Sequence, residues 1–176
     1  MSGPGVILCN PKFPHNVGAA IRACSCFGVH RLVWTGNRVN PADYTRLPRE
    51  ERMKGYKDVV WTRTERPFDV FPSHIPVCVE ISNGARDLPN FDHPENAVYV
   101  FGPEDGGVSQ VIKRFCHHFV YVPSFHCLNL AAVLNVVLYD RWAKRAAVGL
   151  EKVCLTDLVK KSEGRGEIPV MGWDGK

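Results

Sequence analysis

Residues 98–110, VYVFGPEDGGVSQ, and residues 119–142, FVYVPSFHCLNLAAVLNVVLYDRW, carry the reading of this chain. The first is an apolar strand that breaks into a Gly-Pro-Glu turn. The second is a short strand, a polar loop, and then Asn129 at the head of a long apolar pattern of helical period. Working outward, Ala97–Phe101 and Phe119–Val122 read as strands, Gly107–Phe115 as a helix, and Leu128–Val148 as a long helix. Gly5–Cys9, Arg31–Trp34, Val59–Trp61 and Pro76–Ile81 read as further strands. Pro11 and Pro14 punctuate a turn, after which Asn16 is placed as the N-cap of a helix to about Phe27, with Gly28 at C′. Residues 36–57 are polar and irregular, and Pro41 and Pro48 limit any helix there to short pieces. Continuous apolar strands separated by helices predict a single α/β domain with a mostly parallel sheet covered by helices on both faces.

The bulk properties agree. A chain of 176 residues, 45% hydrophobic and 23% charged, has the size and composition of one well-packed soluble domain. No apolar run reaches the roughly 18–20 residues of a membrane helix, and MSGPGVILCN lacks the pattern of a secretory signal. These features place the protein in the cytoplasm. Seven cysteines, an odd number, argue against a disulfide framework. Cys24-x-Cys26 is too close for a zinc knuckle. Cys9, Cys78 and Cys116 sit in or beside apolar stretches as small core residues, and no metal is expected. The net charge of +4 is unevenly spread. Arg46, Arg49, Arg52, Lys54, Lys57, Arg63 and Arg66 crowd one stretch, which suits either a phosphate backbone or a solvated face.

Three short patterns carry chemistry. Asn16-Val-Gly-Ala-Ala-Ile-Arg22 puts small residues on a helix, where a backbone or nucleotide can approach closely. Phe101-Gly-Pro-Glu-Asp-Gly-Gly107 is a glycine-rich loop at a strand end, where parallel sheets bind ligands. Asp105 reads as a solvated turn residue. Cys127-Leu-Asn129-Leu-Ala131 opens the last helix, whose first backbone N–H groups are free to donate. Val79–Gly84 and Tyr121–Pro123 end two other strands, and their backbone groups can read a purine edge. Along the long helix Leu130, Leu134, Val137 and Leu138 share a face, with Val133, Trp142 and Ala146 close by. So wide a face fits a dimer interface or a deeply buried core helix.

In this order the three patterns resemble the motifs of the SPOUT superfamily of RNA methyltransferases, over most of residues 5–148. The similarity is greatest to the branch that methylates ribose 2′-hydroxyls. The resemblance implies a domain over 1–150, with a deep C-terminal trefoil knot binding S-adenosylmethionine over about 76–148. It implies a homodimer and an RNA substrate, tRNA first and rRNA second; residues 151–176 read as a flexible tail. It makes Arg22, Asn16, Glu104 and Asn129 the catalytic residues. The cofactor falls to Glu80, Ile81, Gly102, Glu104, Val122, Cys127, Leu128 and Leu130. Arg22, Tyr139, Arg46, Arg49 and Arg52 fall to the RNA. A guanidinium stays protonated in proteins, so Arg22 is better suited to clamp a phosphate than to act as a base. The family pattern usually has serine where Cys127 stands, which keeps a catalytically silent RNA-binding dimer open as an alternative. Methylation of a base by another SPOUT branch is a second. A dinucleotide-binding enzyme is disfavoured, because NPKFPHNVG follows the first strand in place of G-x-G-x-x-G.

Overall fold

A computed structural model describes residues 3–40 and 57–152. The chain divides into two units, Met1–Trp142 and Ala143–Lys176. The first holds a seven-stranded sheet: β1 (Gly5–Leu8), β2 (Arg31–Trp34), β3 (Val60–Arg63), β4 (Ile75–Val79), β5 (Arg86–Asp87), β6 (Ala97–Phe101) and β7 (His118–Tyr121). Their order is β3-β2-β1-β6-β4-β7-β5, and every pairing is parallel. β6, between β1 and β4, is buried along its whole length, as a two-sided parallel strand requires.

The two faces have separate cores. Helix α1 (Pro14–Cys26) and the first part of helix α3 (Leu130–Ala147) cover one face. There Val17, Ala20 and Ile21 of α1 and Leu130, Leu134, Val137 and Leu138 of α3 meet Val6, Leu8, Leu32, Trp34, Tyr99 and Phe101. The other face is built from Ile7, Cys9, Val33, Cys78, Val98 and Val100. Its cover is slighter: Phe71 after a 3-10 turn (Pro67–Val70), Val108, and Ile112 from the single-turn helix α2 (Gln110–Lys113). Alternation along β1, with Val6 and Leu8 on one side and Ile7 on the other, is the period of a strand. Burial pushes the Cys9 thiol up to about 12, with the nearby Cys116 adding to the effect, so this residue packs as a neutral apolar group.

Two helices start or end elsewhere than their sequence predicts. α1 starts at Pro14, with Phe13 as its N-cap, so Asn16 lies inside the first turn and caps nothing by its side chain. Proline is favoured at the first helical position, because its missing N–H would be unpaired there anyway. Asn16 is thereby freed for other partners. α2 is shorter than the helix expected over Gly107–Phe115. The Val108 N–H is taken by the Glu80 carboxylate (2.8 Å), Ser109 caps the turn, and bonds from Phe115 to Ile112 and Cys116 to Lys113 tighten its end.

α3 is pinned to the sheet by polar groups as well as by its apolar stripe. The buried His93 ring meets the Tyr99 hydroxyl through Nδ1 (2.6 Å) and Asp140 through Nε2 (2.7 Å). Arg141 donates to the Glu95 carbonyl (2.8 Å). In the second unit, Arg145 pairs with Glu151 at 2.9 Å and Gly149 takes a left-handed φ of 77° just past the helix end. Residues 153–176 of the expected tail lie outside the described residues, as do Arg46, Arg49 and Arg52. No helix among the described residues is long and apolar enough to cross a membrane.

Candidate active site

Because all strands are parallel, β4, β6 and β7 end at one edge of the sheet, and the loops that leave them enclose a cleft with the start of α3. Its walls are Val79, Glu80 and Ile81 after β4, Gly102, Pro103, Glu104 and Gly106 after β6, and Tyr121, Val122 and Ser124 after β7. Cys127, Leu128, Leu130 and Val133 close it. All eight positions that the resemblance implied for the cofactor therefore line one cleft. Its lining joins aliphatic side chains, suited to an adenine, with two carboxylates, Glu80 and Glu104, suited to a cationic sulfur. That donor set fits S-adenosylmethionine.

The loop after β6 is folded tightly. A Cβ on Gly102 would lie 2.9 Å from the Val108 nitrogen, and one on Gly107 2.7 Å from Glu80 Oε2. None of Gly102, Gly106 and Gly107 has positive φ. Gly102 is needed for close approach of backbone to backbone, and at Gly107 a Cβ would displace the Glu80 carboxylate. Glu80 is what approaches: its Oε2 accepts from the Val108 N–H and faces Lys113 Nζ at 3.8 Å. Its side chain fastens the loop to the end of β4 while the residue lines the cleft.

Three of the four expected catalytic residues form one hydrogen-bonded chain. Asn129 caps α3, its Oδ1 accepting from the Ala131 N–H (2.9 Å), and its Nδ2 donates to Asn16 Oδ1 (3.0 Å). Asn16 Nδ2 donates in turn to Glu104 Oε1 (2.5 Å), and the Lys12 N–H donates to Glu104 Oε2 (2.8 Å). Asn16 is 3% exposed, so its amide is committed to these two partners. Partial burial alone would raise the Glu104 carboxyl. The Asn16 amide and the backbone N–H groups of Lys12, Glu104 and Phe13 outweigh it and hold the group below its ordinary value. Glu104 is thus an anion at neutral pH.

Arg22 stands apart. It is exposed, does not line the cleft, and among the described residues has no hydrogen bond or ion pair. Six residues from Asn16 on α1, it projects from another side of the helix. Tyr139 is 57% exposed and packs edge-on to Phe27 (6.3 Å) and against Trp142 (6.3 Å), also outside the cleft lining.

Sequence reasoning missed a clasp beside the site. Arg38 grips Asp105 with one nitrogen 3.0 and 2.9 Å from its two carboxylate oxygens, and donates through Nε to the Asn10 carbonyl (3.1 Å). Lys12 Nζ adds an ion pair to Asp105 at 3.5 Å. Asp105, expected to be a solvated turn residue, ties the loop after β6 to the loops after β1 and β2. Its carboxyl is lowered chiefly by the Arg38 hydrogen bond. Sequence separations of 67 and 93 residues leave no local signal for these pairs.

The model of the SpoU rRNA Methylase family matches residues 4–139. The chain is 28% identical over 166 residues to the tRNA (cytidine/uridine/adenosine-2′-O-)-methyltransferase TrmJ of Pseudomonas aeruginosa, covering 82% of this chain and 62% of that protein. It is 23% identical over 160 residues to the tRNA (guanosine(18)-2′-O)-methyltransferase of Escherichia coli, covering 84% and 67%. It thus spans about three fifths of the length of the Pseudomonas relative. Among solved structures, the TrmH/SpoU tRNA modifying enzyme of A. aeolicus superposes with a TM-score of 0.73 at 19% identity, over 93% of this chain and 87% of that one. AviRb of Streptomyces viridochromogenes, solved with AdoMet, gives 0.71 at 22%, over 83% and 62%. A fold shared at such low identity, together with a family match over most of the chain, leads to one assignment: the chain belongs to the SpoU rRNA Methylase family.

Proposed function

We propose that the protein is an S-adenosylmethionine-dependent methyltransferase that acts on a ribose 2′-hydroxyl of RNA, tRNA first and rRNA second. The observation that carries this reading is the Asn129–Asn16–Glu104 chain at the rim of a cleft lined by all eight expected cofactor positions. Relatives named for 2′-O-methylation of tRNA and of 23S rRNA support the reaction class.

Bound in the cleft, S-adenosylmethionine supplies an electrophilic methyl group on a sulfonium sulfur. A hydroxyl presented to such a cation would gain most from alignment and exclusion of water, which the walls of the cleft would provide. Glu104, held ionised by its donors, sets a fixed negative charge at the rim. Asn129 holds the head of α3 and the Asn16 amide in one arrangement, which spares reorganisation during the reaction. Leu128 and Leu130 cover apolar surface of the ligand. Arg22 clamps a phosphate next to the reacting ribose, and the hydroxyl proton passes to a phosphate oxygen or to water. Cys127 then contributes through its backbone, because a thiol donates weakly.

The same reading includes a domain over 1–150 with the knot at about 76–148, a flexible tail over 151–176, a cytoplasmic setting and a homodimer. The exposed Val136 and Tyr139 of α3, beside Phe27 of α1, offer apolar surface for a second copy. The alternative of a silent RNA-binding dimer rests on Cys127. Labelled S-adenosylmethionine and total tRNA or rRNA from a host lacking the enzyme separate these readings. Label in an alkali-resistant dinucleotide is expected; label on a base, or no transfer to either pool, overturns ribose methylation.

A further inference from the structure

Beside the candidate site, three exposed side chains are arranged in a way that the reaction as outlined does not use. Phe13 is 41% exposed, and its ring stacks on that of His15 with centroids 5.3 Å apart and planes inclined by 17°. Lys12 Nζ stands 5.3 Å from the centre of the Phe13 ring. The other exposed rings differ. Among the described residues Phe125 has no ring partner, Phe115 stacks on Phe68 of the second core, and Tyr139 packs against Phe27 and Trp142. An exposed phenylalanine by itself is ordinary. Here, however, the backbone under it is fixed at both ends by the site. The Lys12 N–H donates to Glu104, and the Phe13 carbonyl accepts from the N–H of Asn16, whose side chain also holds Glu104. Pro14 at the helix start further restricts the turn.

We propose that Phe13 and His15, with Lys12 above the ring, form a stacking platform for one unpaired nucleobase of the RNA, set next to the Glu104 carboxylate. Unstacked bases are commonly held on phenylalanine or histidine rings, with a cation nearby for the phosphate, and every base has a face that can stack. The platform explains how a chain with a cleft for the cofactor would also hold its substrate in register. It rests on the RNA methyltransferase reading for the identity of the ligand.

The test measures binding of total tRNA and of rRNA by filter retention, and transfer from labelled S-adenosylmethionine, in wild type, Phe13→Leu, Phe13→Tyr and Lys12→Ala. Leucine keeps the apolar character and removes the ring. It is expected to weaken RNA binding and raise KM for RNA by about 5- to 150-fold, the range of one base stack, with S-adenosylmethionine affinity unchanged. Tyrosine restores RNA binding to within about threefold. Lys12→Ala lowers the slope of log affinity against log salt by about 1, and Phe13→Leu leaves it unchanged. Ring-dependent RNA binding without any methyl transfer supports the platform while removing the catalytic reading. Normal transfer with Phe13→Leu overturns the platform and leaves that reading in place. A shift of oligomeric state in Phe13→Leu, seen by sedimentation, also overturns it, because the ring then belongs to an interface between copies. Failure of the wild type to bind tRNA or rRNA overturns both.

Discussion

α1 has two sides that prepare for function in opposite ways. On one, Asn16 is buried and both ends of its amide are spent, on Asn129 and on Glu104. On the other, six residues along, Arg22 is exposed and unpaired among the described residues. The first side is organised within one chain before any ligand arrives. The second has no partner among the described residues, and in the proposed function it is kept for a phosphate of the RNA. Preorganised donors need no reorganisation when a ligand arrives, whereas an uncommitted arginine keeps its five donors free.

Four experiments break or sharpen this contrast. The largest effect is expected on the exposed side: Arg22→Ala lowers methyl transfer by about 100-fold or more, yet leaves the thermal midpoint unchanged, because an exposed side chain without partners moves stability by no more than about 0.5 kcal/mol. Arg22→Lys keeps the charge and loses the fork. Near-full activity for it in single-turnover assays would sink the clamp. On the buried side the order reverses. Asn16→Ala leaves polar groups of Glu104 and Asn129 without their partner, which costs about 1–3 kcal/mol and lowers the melting temperature by roughly 2–12 °C. A melting curve that does not move contradicts the buried network.

The third experiment uses pH. The folded Glu104 carboxyl lies below its unfolded value of about 4.3. Its contribution is therefore fully present above that value and is lost as pH falls through the lower, folded one. Wild type and Glu104→Gln should differ in stability by a constant amount from pH 6 to 8 and converge below about pH 4. Parallel curves down to pH 3 mean that Glu104 is not held by these donors. The smallest effect concerns the clasp. Arg38→Ala and Asp105→Ala each lower stability only slightly, because the pair is solvent-exposed, and their coupling in a double-mutant cycle fades at high salt.

The contrast also explains which parts of the molecule could be read beforehand. β2 and β6 have the bounds expected of them, Arg31–Trp34 and Ala97–Phe101, because continuous apolar runs between breakers have few other uses. β5 was missed: two residues, Arg86–Asp87, carry no periodic signal. Asn16 reads in sequence as a cap but lies inside the helix, since a capping residue and a residue two places inside a proline-initiated helix look alike in sequence. Glu80 stands out in sequence only by its position at the end of a strand, whereas in the structure its side chain braces the loop at Val108.

Asp105 and His93 show the limit. Asp105 sits in a turn that any solvated acid would suit, and only the meeting of three loops brings Arg38 and Lys12 to it. His93 stands 47 residues from Asp140, and nothing local links them. By itself the sequence determined six of the seven strands, the two long helices, the glycine-rich loop and the residue types of the site, because periodicity, breakers and close-approach glycines act over a few residues. Which side chains hydrogen-bond to one another, which carboxylate is braced and which arginine is left free were decided only by tertiary structure. Those relations depend on strand order and helix rotation, which bring distant residues within 3 Å and set others, only six apart, on different sides of one helix.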